Sequence, residues 1–395
     1  MELSRKILSV VGSVTLEIDA KAKSMRAEGI DVVGFGAGEP DFDTPAVIKE
    51  AAKEALDKGF TKYTPAAGMI SLKQAICDKL AQQGLSYAPG EIVISNGAKH
   101  SLFNAFSAIL NPGDEVIIPS PFWVSYPEIV KMADGVPVFV QSDEKNDFAL
   151  GIDAIRAAIT GKTKALVLNS PNNPTGVIFS QDSLQKVAEL AKKHGFFVIS
   201  DEIYNELVYD IETPRSIAAL EGMKDYAILV NGMSKAYSMT GWRIGYTASP
   251  AKVAKAMGNF QSHATSNPNS IAQYASIAAL RYVKQEIEDM KAAFIQRRQY
   301  MYDTINGIPG LSCPMPDGAF YVFMNISGAI GKQCGGKAIQ GSVDFSSLLL
   351  DQQKVAVVPG IAFGADSYVR LSYATSMENI IKGLSCIRLF MESLQ

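Results

Sequence analysis

The sequence is short of the residues that would staple or metallate a small fold. Four cysteines stand in 395 residues, at Cys77, Cys313, Cys334 and Cys386. With no CxxC pair and no Cys/His spacing, they exclude a disulfide framework and a zinc site and fit a reducing cytoplasm. The three histidines, His100, His194 and His263, share no ligand spacing and have no neighbours that would make an acid–base relay. A charge excess is missing as well. Lys plus Arg number 37 against 40 Asp plus Glu, a formal net charge of −3, so no basic surplus exists to hold nucleic acid. No apolar run approaches the roughly 18 residues of a membrane span, and the apolar stretch of the start, MELSRKILSV, is too short for a signal peptide. Repeats, low-complexity tracts and long charge blocks are absent. A soluble cytoplasmic protein is the expectation.

What is present is enough chain for two or three domains with buried cores. Between Glu91 and Ser249 short apolar runs (EIVIS, EVIIPS, PVFVQ, KALVLNS, FFVIS, YAILVNG, RIGYTAS) alternate with helical-period segments. In KHSLFNAFSAIL, for example, Leu102, Phe103, Phe106, Ile109 and Leu110 share one helical face. Strands apolar on both faces and separated by helices predict a parallel sheet covered on both sides, a large α/β domain. NPGDEV and PNNPTG read as turns. The stretch Gln273–Met301 has few breakers and predicts one long helix leaving that domain. Beyond it AFYVFMNI, KVAVVPG and YVRLSYA read as strands among helices such as SSLLLDQQ, a smaller α+β unit. GAIGKQCGGKAIQGS, around Cys334, is Gly-rich and reads as a mobile surface loop.

Open α/β sheets bind ligands past the carboxyl ends of their strands. After EIVIS come Asn96, Gly97, Ala98 and Lys99; after KALVLNS come Asn172 and Asn173; FFVIS runs into Asp201, Glu202, Ile203 and Tyr204; YAILVNG runs into Met233, Ser234 and Lys235. Any one cluster alone is an ordinary turn or helix cap; four converging on one edge predict a site. Gly34, Gly36 and Gly38 do not make a dinucleotide loop, because their spacing is wrong and EPDFDTP cannot open a helix at once.

PNNPTG, SDEIY, SKAYSMTGWRIGY and VRLSYATS, in this order, together with GAGEPDFDTP, KYTPAAG and PFWVSYPE, resemble the class I aminotransferases of the pyridoxal-phosphate fold type I group. They are most like the bacterial-type aspartate aminotransferases. The resemblance implies a seven-stranded, mostly parallel sheet between helices in a large cofactor domain over residues 45–295, and a smaller α+β domain from 1–44 and 296–395. It implies pyridoxal 5′-phosphate as cofactor, with Lys235 joined to its aldehyde as an imine and moving the substrate proton, for which the amine must be partly unprotonated. Asp201 would hold the pyridine nitrogen protonated. Tyr204 and Asn173 would bond the phenolic oxygen, and Trp123 would stack on the ring. Gly97, Ala98 and the helix they open, with Ser234 and Arg243, would hold the phosphate. Tyr63, in KYTPAAG, would reach the phosphate of a neighbouring subunit and make a homodimer with shared sites necessary for catalysis.

For the substrate, the resemblance gives the α-carboxylate to Arg370, a planar two-pronged donor, with the backbone of Gly38 close by. The stretch in which the animal-type enzymes place a distal arginine holds no cation between Lys255 and Arg281 here. Lys99 stands where the bacterial-type enzymes use a lysine instead, and Ser13 and Thr15 match a pair that closes over an acidic side chain. The implied reaction is ping-pong transfer of the amino group of L-aspartate to 2-oxoglutarate through a pyridoxamine phosphate form. Val11 occupies the position that is basic in prephenate-accepting relatives, which disfavours prephenate. The alternatives are a transaminase of broader or aromatic specificity, a β-eliminating lyase on the same scaffold, and a cofactor-sensing regulator, for which no DNA-binding segment is seen.

Overall fold

The computed structural model describes residues 2–10, 12, 14–142, 144–212 and 214–395, with backbone only for residues 5 and 14–19. Among these, seven strands form the central sheet: β1 (Ile92–Ser95), β2 (Glu115–Ser120), β3 (Val136–Gln141), β4 (Thr163–Asn169), β5 (Phe197–Asp201), β6 (Ala227–Gly232) and β7 (Gly245–Ala248). Their order is β1-β7-β6-β5-β4-β2-β3. Only β7 runs against its neighbours; the other six share one direction. All seven apolar runs of the sequence became strands of this one sheet.

Alternation along the strands explains why both faces are covered. Ile118, Val167 and Ile199 pack with Leu102 and Phe106 of helix Ala98–Ile109 and with Val253 and Met257 of helix Ala251–Ala264. Their chain neighbours Ile117, Leu166, Leu168 and Val198 point the other way, against Leu184, Val187 and Ala191 of helix Gln181–His194. Successive strand residues face opposite sides, and truncating one of the buried leucines or isoleucines among them to alanine costs about 2–5 kcal/mol. A second sheet holds β8 (Tyr321–Asn325), β9 (Val358–Pro359) and β10 (Tyr368–Ser372), with β10 in the middle and antiparallel to both partners. Val33 and Phe35, from the opposite end of the chain, join its core with Phe345, Leu349 and Ile387. The two-residue strand Val33–Gly34 also pairs in parallel with Val355–Ala356.

Three readings need correction. Gln273–Met301 is not one helix: Ser270–Tyr282 and Gln285–Asn306 are separated at Val283, whose ψ of 79° breaks the helical ladder. Val283 is β-branched and turns into the core, 5% exposed, while Glu286 and Glu288 start the next helix where its dipole favours acid. KVAVVPG is not one strand but two, Val355–Ala356 and Val358–Pro359, serving different partners. The Gly-rich segment is a hairpin, Gln333–Cys334 against Lys337–Ala338. Gly335 and Gly336 have φ of 55° and 77°, the pair of left-handed residues that a tight hairpin turn demands, and Cys334 and Ile339 are buried beside it. Among the described residues no helix is long and apolar enough to cross a membrane.

Candidate active site

Because six strands run the same way and β7 runs against them, the carboxyl ends of the six and the start of β7 share one edge. A cavity of about 460 Å³ opens there. Its lining includes Gly38, Ala98, Lys99, Trp123, Asn173, Asp201, Tyr204, Ser234, Lys235, Arg243 and Arg370, drawn from nearly the whole length of the chain.

Asp201 ends β5 and is 4% exposed. Its Oδ2 accepts the hydroxyl of Tyr126 at 2.7 Å and its Oδ1 the N–H of Ile203 at 3.2 Å. Burial nevertheless pushes its pKa up to about 6, against the opposing pull of those two bonds and of Lys235. Lys235 follows β6; its Nζ donates to the carbonyl of Gly38 and lies 5.8 Å from the Tyr204 ring and 5.7 Å from that of Phe320. Burial, and then the positive charge of Arg370, bring the amine down to about 8. A buried acid raised and a buried base lowered in one cavity is the pattern that marks a functional site.

Arg370, in β10, is 7% exposed. It donates from Nη1 to Asn173 Oδ1 at 3.0 Å and from Nη2 to the Gly36 carbonyl at 3.1 Å, and its buried Nε has no hydrogen-bond partner among the described residues. Its guanidinium lies 4.4 Å from the Tyr321 ring centroid and 5.1 Å from that of Phe363. Lys99, on the first turn of helix Ala98–Ile109, sets its Nζ 5.0 Å from the Trp123 ring centroid; partial burial and the neighbouring Arg243 lower its pKa.

Gly97 has φ of 86° and opens that helix. The guanidinium of Arg243 packs where its Cβ would stand, and a Cβ on Gly245 would overlap the backbone of Gly97 and Ala98. Arg243 itself has φ of 57° and bonds the carbonyls of Thr240 and Asn96 at 2.9 and 3.3 Å. Tyr63 is not part of this lining and is 90% exposed. Ser13 and Val11 lie outside the described residues, as does the side chain of Thr15.

Seven residues of the cavity were not singled out in the sequence: Glu39, Val124, Tyr126, Asn169, Thr240, Tyr321 and Phe363. Tyr126 follows Trp123 by one helical turn within PFWVSYPE, and Glu39 sits in GAGEPD, so both lay inside quoted motifs. Glu39 accepts the hydroxyl of Thr240 at 2.7 Å.

The sequence model for aminotransferase class I and II matches residues 30–387. The chain belongs to the class I and II aminotransferases. The enzyme is 47% identical over 395 residues to the aspartate aminotransferase of Geobacillus stearothermophilus, spanning 100% of both chains. It is 45% identical over 398 residues to the aspartate/prephenate aminotransferase of Cereibacter sphaeroides, spanning 99% of each. The crystal structure of the aspartate aminotransferase from Rhizobium meliloti superposes with a TM-score of 0.97 at 42% identity, covering 100% of both chains. The fold is type I, and the enzyme depends on pyridoxal 5′-phosphate. The residues present fit that group. The glycine pair Gly97 and Gly245 leaves a helix N-terminus open beside Arg243, which suits a phosphate, and Asp201 is a buried carboxyl at the cavity wall held by the neutral donors Tyr126 and Ile203, which suits a protonated pyridine.

Proposed function

We propose that the enzyme is an aspartate aminotransferase, moving the amino group of L-aspartate to 2-oxoglutarate in a ping-pong exchange. One observation carries the reading: beyond Lys235 and the Arg243 that suits the phosphate, the cavity holds two more cations from different elements, Arg370 and Lys99, one for each carboxylate of an acidic amino acid. The family resemblance assigns these side chains the α- and distal carboxylates respectively.

When bound, pyridoxal phosphate supplies an aldehyde and an electron-withdrawing ring that make the proton on the substrate Cα removable. Asp201, as carboxylate, would hold a proton on the ring nitrogen. The backbone N–H groups of Gly97 and Ala98 with Ser234 and Arg243 would hold the phosphate. Trp123 would cover one ring face, and Asn173 and Tyr204 would bond the phenolic oxygen. Asn173 is already turned by Arg370, which takes its Oδ1 and leaves the amide nitrogen as donor. Lys235, near pKa 8, is neutral far more often at neutral pH than a lysine at its ordinary value and, when neutral, can accept the Cα proton.

The deciding experiment is a steady-state screen of amino acid donors against 2-oxoglutarate with oxaloacetate followed directly. Aspartate and glutamate rank first on this reading; an apolar or aromatic donor ahead of both refutes it. Release of ammonia and pyruvate instead of keto-acid exchange would mark a β-lyase.

We further propose a homodimer with shared sites. Tyr63 and the exposed apolar residues Val47, Leu56, Ile70 and Tyr282 lie on or beside helices Ala46–Asp57, Ile70–Gln82 and Ser270–Tyr282, an apolar surface that suits a second subunit. Mixing inactive Lys235→Ala with a Tyr63→Ala variant should restore one intact site per mixed dimer; no recovery would count against sharing. The division into domains at 45–295 and 1–44 with 296–395 is supported by the packing of Val33 and Phe35 with Phe345, Leu349 and Ile387, in a core that also takes in Ile203, Tyr204 and Leu207 of the large domain. Four free cysteines support a cytoplasmic setting.

A further inference from the structure

The hydroxyls of Tyr204 and Tyr321 meet at 2.9 Å, and both side chains are buried, at 3% and 0% exposure. Tyr321 begins β8, and the guanidinium of Arg370 stands 4.4 Å from its ring centroid. One side chain therefore touches two groups that serve opposite ends of the reacting molecule: Tyr204 at the cofactor ring and Arg370 at the α-carboxylate.

The backbone that delivers it is held tightly. Ala319 adopts φ of 59°, a conformation sparsely populated without a glycine. Its carbonyl accepts the hydroxyls of Tyr209 and, at 3.3 Å, Tyr373, and its N–H donates to the Leu207 carbonyl at 3.0 Å. The Phe320 carbonyl accepts the N–H of Tyr373 at 3.0 Å. This kink sends the Phe320 ring under Lys235 and the Tyr321 hydroxyl to Tyr204.

Donor counting then fixes the direction of the bond. A phenol has one proton to give. If Tyr204 gives its proton to the cofactor's phenolic oxygen, the oxygen of Tyr204 is left to accept, and Tyr321 is the donor. A cation over a phenol ring makes its O–H a stronger donor, and each bond in such a chain polarises the next. We propose that Tyr321 is a positioning residue of the transamination. Its hydroxyl strengthens, through Tyr204, the bond to the cofactor's phenolic oxygen, and its ring seats Arg370. The inference rests on the function proposed above. Asp201, Lys235 and Arg370 are the charged groups facing the pair, with Tyr126 beyond Asp201; exchange at position 321 leaves all of them in place.

The test is a pH titration of the holoenzyme's visible absorption band. Tyr321→Phe removes the hydroxyl but keeps the ring. It should raise the proton affinity read from the midpoint roughly 1.3- to fourfold, the tenth to third of a charge-assisted hydrogen bond that a neighbouring bond in such a chain adds, and lower kcat while the KM for aspartate stays within about twofold. Exchange of Tyr321 for 3-fluorotyrosine makes the hydroxyl more acidic at nearly constant shape and should move the midpoint the opposite way, which decides the question even where Tyr321→Phe does not fold. In a Tyr204→Phe background Tyr321→Phe should shift nothing further. Midpoints that ignore residue 321, or an equal shift in both backgrounds, overturn the relay. A protein with no visible band on addition of the cofactor would instead overturn the functional reading beneath it.

Discussion

Tyr126 gives its hydroxyl to Oδ2 of Asp201 at 2.7 Å, and both side chains are buried. This bond holds the carboxylate form down against burial, which alone would carry the pKa of Asp201 above its value of about 6. Tyr126→Phe should therefore move the acidic limb of the kcat/KM profile to higher pH and weaken cofactor retention by about 1–3 kcal/mol, the range of a hydrogen bond to a charged group. A pH–rate profile checks the first and equilibrium dialysis the second; an unmoved acidic limb would show that Asp201 does not set it.

The cofactor-free protein should carry the signature of Asp201 in its stability. The folded carboxyl keeps its proton up to about pH 6, while the unfolded one loses it near 3.8. Between those values the folded state binds more protons, so stability contributed by this group falls as pH rises. Urea midpoints of wild type minus those of Asp201→Asn should decline from pH 4 to 6 and then level; a flat difference would mean an ordinary carboxyl.

Lys235 is depressed to about 8 from 10.5. Only the neutral amine attacks an aldehyde, so covalent capture of pyridoxal phosphate by the apoenzyme should speed up as pH rises through about 8 and then plateau. Lys235→Ala should capture none. A rate still climbing to pH 10 in stopped-flow measurements would place the amine at its ordinary value.

The two cations should separate by substrate. Lys99→Ala should raise the KM for aspartate far more than for an apolar donor, by about 1–3 kcal/mol of lost carboxylate binding. Arg370→Ala should weaken all donors alike. Selective loss of acidic donors in the Arg370 variant would reverse the two assignments.

Gly245→Ala puts a methyl against the backbone of Gly97 and Ala98, which cannot swing aside as a side chain can. Strain of about 1–3 kcal/mol is expected, visible as a lower melting temperature and faster loss of cofactor on gel filtration. An unchanged dissociation rate would show that the helix start tolerates displacement.

The sheet was legible because its strands are apolar on both faces and punctuated by turns, a pattern that parallel packing alone demands. The site was legible where a polar cluster followed a strand, as at Asp201, Ser234 and Lys235. What escaped depended on approach in space. Tyr321 reads as one more strand aromatic until Tyr204, 117 positions away, is brought against it, and Tyr126 reads as a helix face until Asp201 lies beneath it. The break at Val283 escaped because a valine is unremarkable inside a helix; burial, not propensity, turned the chain there.

The run from Val33 to Gly38 lies against Val355–Ala356 at its start, carries the Phe35 carbonyl that accepts from Ser372, lends the Gly36 carbonyl to Arg370 and ends on Lys235. Six consecutive residues thus act as a measuring tape between the carboxylate grip and the reacting amine. Lengthening it by a single residue would put those two out of step without unfolding either, whereas the hairpin tip at Gly335–Gly336 could be lengthened freely, which tells a protein engineer where this chain accepts an insertion and where it does not.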